Sequence, residues 1–354
     1  MTGAAQVWLI TGATGFLGSA LLSGLLSRGC SVRCVVRESS AADGAAMLRA
    51  ALGDRAAGWW SRVEVVHGDL SEERLGMTPG DFSLLGRDVS HVLHCGARVN
   101  MVLPYGSLYA ENVGATEDLL RLAESVAARF CYISTNAAVP KGVTGEPFEL
   151  TSPAAGGYAL TKWTADRLVS VAHQEGRIRA AIFRPGRITA DSGTARSNPD
   201  DLLERVIRIC IGLGAAPVLD TTVRLSPVDW VSEVIVALAQ RDEALGRAYH
   251  VCASETLAWS GVVEVLRGIG YAVDELPYRD WLSAVVSAGR HDPQVARVCG
   301  ALPSDGLSFD DRTLSGPLNA KRQLAELYPD LPPAPHLLKR AVEAWQKSGQ
   351  LPVP

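Results

Sequence analysis

The chain has 354 residues, 47% of them hydrophobic and 20% charged, and a formal net charge of −4. That length and apolar content suit one large or two modest globular cores, and the charge balance leaves no basic face for nucleic acid and no Lys/Arg cluster for a membrane surface. No apolar run reaches bilayer-spanning length and residues 1–5 lead directly into the first apolar run without signal-peptide architecture, so no membrane partner and a cytoplasmic location are expected.

The first apolar run, 6–11, ends in Gly12, Gly15 and Gly18, spaced three apart, and turns into a helical pattern over 15–28. A buried strand gives such a run. The glycines let the chain turn tightly, approach phosphates and seat the helix on the strand, and the helix-start N–H groups then face an anion. The segment reads as a site for a dinucleotide pyrophosphate. A second strand over 31–37 ends Val35-Val36-Arg37. An acidic residue there accepts hydrogen bonds from a ribose 2′-OH and repels a 2′-phosphate, whereas a guanidinium pairs with the phosphate, so NADPH is expected rather than NADH. Arg49, on the helical pattern 41–52, is a second phosphate candidate and equally a solvated surface arginine. The third strand, 63–67, runs into Gly68-Asp69-Leu70, where Asp69 is suited to accept from the adenine amino group or to cap the next helix. The fourth, 91–95, leads to Gly96-Ala97, small enough to let the backbone pass beside a nicotinamide ribose.

A helical pattern over 109–128 separates this strand from a fifth, 130–135, ending Ser134-Thr135; a helix over 158–175 and a strand over 180–184 follow. Strands alternating with crossover helices define an α/β fold, a Rossmann-type doubly wound parallel sheet. After about residue 185 prolines and glycines separate helices near 200–213, 229–240, 259–268 and 336–348. The expected division is therefore 1–185 for the dinucleotide domain and 186–354 for a smaller, mostly helical substrate lobe, with the chain partly returning to the sheet. The seven cysteines lack a Cys-x-x-Cys pair and four lie in strand-like runs, which suits reduced core thiols; no histidine is spaced for a metal site.

Tyr158 and Lys162 stand four apart, so their side chains leave one helix face about 6 Å apart at Cβ. A tyrosine with a pKa of about 10 is a sluggish acid near neutrality, and an adjacent ammonium stabilises its phenolate. Thr135 delivers a hydroxyl to the carboxyl edge of the sheet, where with Tyr158 it stabilises charge developing on a substrate oxygen during hydride transfer.

Together the Thr-Gly-x-x-Gly-x-x-Gly turn, Thr135 and Tyr158-Ala159-Leu160-Thr161-Lys162 resemble the extended short-chain dehydrogenase/reductase superfamily. A narrower likeness runs through Val36-Arg37, Gly68-Asp69-Leu70, His94-Cys95-Gly96-Ala97-Arg98-Val99-Asn100, Asn112-Val113-Gly114-Ala115-Thr116, Lys162-Trp163, Phe183-Arg184-Pro185-Gly186 and Ser226-Pro227-Val228-Asp229. These segments are similar to the thioester reductase domains that end nonribosomal peptide synthetases and carboxylic acid reductases. Gly96 stands where that family more often has alanine. The resemblance implies NADPH-dependent reduction of an acyl or peptidyl thioester, borne on a carrier protein's phosphopantetheine arm, to an aldehyde and in some members on to an alcohol. It implies Thr135, Tyr158 and Lys162 as the catalytic set, with Lys162 also on the ribose. It implies a cofactor site of Gly12, Thr14, Gly15, Phe16, Leu17, Gly18, Arg37, Arg49, Asp69, Leu70, Gly96, Ala97, Asn100 and Pro185, in a monomeric protein. The rival on the same scaffold is a dehydrogenase or epimerase acting on a ketone, an alcohol or a nucleotide sugar; Arg37 counts against an NAD-retaining epimerase.

Overall fold

The computed structural model describes residues 6–37, 41–140, 142–194, 196–309 and 331–354. They fall into two compact units, 6–186 with 231–251, and 187–230 with 252–309 and 331–354.

The first unit is built on seven strands: β1 (Val7–Thr11), β2 (Ser31–Val36), β3 (Val63–His67), β4 (Val89–His94), β5 (Arg129–Ile133), β6 (Arg179–Pro185) and β7 (Ala248–Val251). Their order is β7-β6-β5-β4-β1-β2-β3, every pair parallel. A parallel sheet covered on both faces needs strands that are apolar throughout, and the central ones comply: Trp8, Leu9, Ile10, Val92, Leu93, Phe130 and Phe183 are fully buried. The strand order reverses between β1 and β4, and ligands of such sheets bind at the carboxyl ends of the strands beside that switch point. β1 and β4 end in register, Thr11 opposite His94, so their two exit loops start side by side.

The helices are α1 (Phe16–Ser27), α2 (Ala41–Leu52), α3 (Pro79–Leu85), α4 (Tyr105–Tyr109), α5 (Ala115–Ser125), α6 (Gly157–Gln174) and α7 (Val228–Ala239). The segment expected as one helix over 109–128 is α4 and α5 joined by a π-helical turn, Ala110–Gly114. Such a turn adds one residue to the repeat and re-aims the side chains around it. β7 is a seventh strand beyond the six expected. Four residues give no usable period, but all four are buried, and the strand closes the sheet beside β6.

α6 starts where Gly156 takes φ +93, a conformation side chains disfavour. A Cβ on the next residue, Gly157, would stand 2.1 Å from the Leu103 carbonyl oxygen, so glycine lets the helix start lie against the loop before α4. Tyr158, Thr161, Lys162, Ala165, Asp166 and Val169 form its buried face at helical spacing. Inside, the fully buried Arg184 of β6 forks onto Asp166, Nε to Oδ2 at 2.8 Å and Nη2 to Oδ1 at 2.7 Å. Its remaining donors reach the carbonyls of Pro147 and Phe148 at 2.7 and 3.2 Å. Two buried charges are tolerated here because the fork is bidentate and two further guanidinium N–H groups reach backbone carbonyls.

The second unit gathers helices Leu202–Leu213, Trp259–Ile269, Tyr278–Gly289, Pro293–Cys299 and Ala334–Lys347 around a core that includes Val206, Ile207, Cys210, Val263, Trp281 and Val342. The helices at 278–289 and 293–299 escaped the sequence pattern. Two buried indoles pin one short strand, Ala215–Pro217: Trp259 Nε1 donates to the Pro217 carbonyl at 2.7 Å and Trp281 Nε1 to that of Ala215 at 3.0 Å. Among the described residues no helix is long and apolar enough to cross a membrane. All seven cysteines are free thiols, five of them buried.

Candidate active site

The glycine turn follows from three different demands. Gly12 takes φ +73, and a Cβ there would stand 2.7 Å from Gly96. On Gly18 a Cβ would lie 1.9 Å from the Gly12 carbonyl oxygen, an impossible approach, so α1 sits tightly on the turn. Gly15 has an ordinary φ of −75 and caps α1 with no side-chain hydrogen bond. A Cβ on it would meet only the Gly12 oxygen, at 3.2 Å, and the residue is exposed. A glycine at ordinary φ, exposed at a helix start and close only to the Gly12 carbonyl oxygen, fits a turn that admits an anion to the backbone. Thr14, Phe16 and Leu17 flank it, partly exposed.

The second exit loop is held just as closely. A Cβ on Gly96 would approach Leu70 Cδ1 to 2.5 Å and Thr11 Oγ1 to 3.1 Å, which accounts for glycine where the likeness more often shows alanine. Leu70 thus lies on the backbone beside the partly exposed Ala97. Asp69 Oδ1 accepts from the Ser71 N–H and hydroxyl, both at 2.8 Å, so one carboxylate oxygen shapes a turn while the other makes no hydrogen bond among the described residues. Asn100 Oδ1 likewise accepts from the N–H groups of Val102 and Leu103, both at 2.9 Å. Arg37 is exposed at the end of β2 and makes no ion pair among the described residues. Arg49 instead stacks on the Trp60 ring, its guanidinium carbon 4.1 Å from the centroid. Pro185 is the buried last residue of β6.

Lys162 Nζ donates to the Ile133 carbonyl at 2.7 Å and stands 4.3 Å over the Tyr132 ring. This ties the face of α6 to the end of β5, two residues before Thr135. Burial brings the Lys162 ammonium down to about 8, against the opposing pull of Cys95 and Asp166. Tyr158 is 8% exposed and its hydroxyl has no hydrogen-bond partner among the described residues. Burial, helped by the Cys95 thiol, pushes its pKa above the usual tyrosine value. The site therefore differs from the pairing expected of a Tyr-x-x-x-Lys motif: Lys162 faces a carbonyl and a ring, and Tyr158 is held as a neutral acid. The reason is desolvation of the phenol, with the Lys162 Nζ bonded to the Ile133 carbonyl and not to the Tyr158 hydroxyl. Thr135 is half-buried, its hydroxyl donating to Asn136 Oδ1 at 3.4 Å and accepting from Ala137 N–H at 3.3 Å. Bonds that long are readily exchanged for a substrate oxygen. Its neighbour Ser134 points inward, with a buried hydroxyl that has no partner among the described residues.

A Rossmann-type sheet with a glycine turn at its switch point and a Thr, Tyr and Lys at the adjoining strand and helix ends is a nicotinamide-dinucleotide oxidoreductase architecture. The profile of the male sterility protein family matches residues 10–235. The terminal R domain of the myxalamid polyketide–nonribosomal peptide pathway superposes with a TM-score of 0.91 at 32% identity, covering 100% of this chain and 94% of that one. A linear gramicidin synthase of Brevibacillus parabrevis is 33% identical over 321 residues, 86% of this chain and 6% of that protein. Glycine betaine reductase ATRR of Emericella nidulans is 34% identical over 307 residues, 81% of this chain and 24% of its own length. The chain thus spans a small part of these curated relatives. It belongs to the male sterility protein family and, within it, to the terminal reductase domains of nonribosomal peptide synthetases, in the extended short-chain dehydrogenase/reductase superfamily.

Proposed function

We propose that this chain reduces an acyl or peptidyl thioester, carried on the phosphopantetheine arm of a carrier protein, to an aldehyde with NADPH. The observation that carries the reading is the Lys162–Ile133 bond, which brings the Tyr158 and Lys162 face of α6 to the strand end that bears Thr135. Gly12, Thr14, Gly15, Phe16, Leu17 and Gly18 hold the pyrophosphate, with Asp69, Leu70, Gly96, Ala97, Asn100 and Pro185 along the rest of the dinucleotide. The exposed guanidinium of Arg37, without an ion pair among the described residues, favours the 2′-phosphate form. Arg49, engaged with Trp60, is the lesser contributor. When bound, the nicotinamide supplies a hydride to the thioester carbon.

Thr135 and Tyr158 hydroxyls orient the thioester carbonyl and hydrogen-bond its oxygen as charge develops there, and Tyr158 passes its proton to that oxygen. Burial keeps the Tyr158 hydroxyl protonated, so the proton is in place before the hydride arrives. The product is a tetrahedral hemithioacetal; when its C–S bond breaks, the electron pair leaves with the pantetheine sulfur, the hydroxyl proton is lost and the aldehyde carbonyl forms. Lys162 holds the ribose hydroxyls and restrains the Tyr158 phenolate until it is reprotonated. Within the second unit, Ile188, Leu203, Ile207, Leu337, Arg340 and Trp345 are among the residues that line a pocket. The domain acts as a monomer in the cytoplasm.

The test is NADPH oxidation with a carrier-bound thioester, a ketone and a nucleotide sugar, coupled to product identification. Consumption with the thioester alone, aldehyde appearing, is expected; turnover of the ketone or sugar with the thioester inert overturns the reading. Arg37→Glu should raise the KM for NADPH by about tenfold or more, the effect of replacing one charge-assisted phosphate contact by repulsion, while leaving that for NADH little changed.

A further inference from the structure

A buried chain of hydrogen bonds runs from the glycine turn to the catalytic helix, and His94 is its centre. Thr11, His94, Asn112, Thr116 and Thr161 are each 1% exposed or less. Gly96 N–H donates to Thr11 Oγ1 at 3.0 Å, and Thr11 Oγ1 lies 2.7 Å from His94 Nδ1. On the other side of the ring, His94 Nε2 lies 3.0 Å from Thr116 Oγ1, which donates to the Asn112 carbonyl at 2.9 Å. The Asn112 side chain then donates to Thr161 Oγ1 at 3.0 Å, and Thr161 donates to the Tyr158 carbonyl at 2.8 Å. The same amide brackets Arg98, accepting from its N–H at 2.7 Å and donating to its carbonyl at 3.1 Å.

The direction of every proton follows from counting donors. Thr116 has one hydrogen and gives it to Asn112, so it accepts from His94, and Nε2 carries the ring proton. His94 is neutral, since burial and the nearby Lys162 charge bring it down to about 3; Nδ1 is then a lone pair, and Thr11 donates to it. The reverse tautomer leaves the Thr11 hydroxyl hydrogen with no acceptor in a site without room for that loss. The π-helical turn at 110–114 serves this arrangement, because Asn112 within it presents its side chain to Arg98 and Thr161 while its carbonyl meets Thr116.

We propose that His94 is a positioning residue: locked as the neutral Nε2–H tautomer, it couples the pyrophosphate turn at Thr11-Gly12 to the placement of Tyr158 on α6. The proposal takes Tyr158 as the acid of the proposed reaction but is tested without turnover. Histidine side-chain 15N shifts in the intact ligand-free protein, with His94 assigned by difference against His94→Gln, should show one protonated nitrogen, Nε2, unchanged between pH 5.5 and 8. A charged ring or the Nδ1–H form overturns the proposal.

A second measurement reads the coupling. Thr116→Val removes the acceptor of Nε2–H, so the ring is no longer held in a single tautomer and orientation and the Thr11 hydroxyl loses its fixed acceptor. NADPH affinity, followed by cofactor fluorescence, should then fall by about three- to tenfold, the scale of one lost hydrogen bond, although Thr116 is in α5. In a Thr11→Val background the same substitution should have no further effect on affinity, and Thr116→Ser should restore the wild-type tautomer and affinity. Additive effects of Thr11→Val and Thr116→Val refute the coupling. Should Thr116→Val fold poorly, Thr116→Ala carries the same test. Failure of the thioester assay leaves these tautomer and affinity readouts intact, so the two readings fall separately.

Discussion

The buried ammonium of Lys162 makes a signed prediction about stability. Its pKa falls from 10.5 in the unfolded chain to about 8 in the fold, chiefly because burial strips its water. At about 1.4 kcal/mol per tenfold this corresponds to roughly 3 kcal/mol favouring the neutral amine. Below pH 8 both states carry the proton and the penalty is fully present. Between about pH 8 and 10.5 the unfolded chain binds more protons than the folded one, so stability attributable to this residue rises with pH across that window. Lys162→Met removes the titration and leaves the Ile133 carbonyl without its Nζ donor, a pH-independent loss of about 1–3 kcal/mol. Urea unfolding should therefore find wild type less stable than the variant by about 0–2 kcal/mol at pH 7, and the difference should move by about 3 kcal/mol in favour of wild type by pH 10.5. Titrating groups that do not interact with Lys162 are common to both chains and cancel in the subtraction. A difference that stays flat within 1 kcal/mol, or that moves the other way, refutes the desolvation argument.

Tyr158→Phe removes the proposed proton donor but no hydrogen bond of the hydroxyl within the described fold, so thioester reduction should fall by at least about a hundredfold, with NADPH affinity by fluorescence titration within twofold or so. Gly18→Ala forces a methyl onto the Gly12 carbonyl; calorimetry should find NADPH binding abolished, and unchanged affinity would show that the turn relaxes. Asp166→Leu strands the Arg184 guanidinium and should cost about 3–5 kcal/mol, whereas the Asp166→Leu/Arg184→Met pair, measured in the same chemical unfolding, should recover much of it. The activity of wild type should decline as pH rises through about 8, following loss of the Lys162 proton; a decline first seen above pH 10 would detach that limb from Lys162.

The parallel sheet was readable because its strands are buried on both faces, which leaves apolar runs between crossover helices. What escaped were features with no local period. β7 is four residues long, and only its pairing with β6 identifies it. The π-helical turn preserves apolar spacing closely enough that 109–128 reads as one helix. Residue types suggested Thr135, Tyr158 and Lys162, yet not that Lys162 would spend its charge on Ile133, because that depends on where β5 ends relative to α6. Arg49 shows the converse: its helix position left it equally a second phosphate candidate or a solvated surface arginine, while the fold supplies Trp60 as a platform. His94 looked merely like part of a small-residue strand end, and its partners Thr11 and Thr116 lie 83 and 22 positions away. Such a contact becomes legible only once Thr11 and His94 are known to stand in register.

The return of the chain to supply β7 bears on how the domain is made. During synthesis the first six strands emerge well before the seventh, and until then β6 is an edge whose residues Ala180, Ala181, Ile182 and Phe183, all buried in the finished sheet, present open backbone to the surroundings. A fragment ending at residue 186, where the first stretch of the first unit stops, keeps the glycine turn and Thr135, Tyr158 and Lys162 yet exposes that edge permanently. It should precipitate or pair with itself, while a fragment that retains residues 231–251 has the strand that covers it.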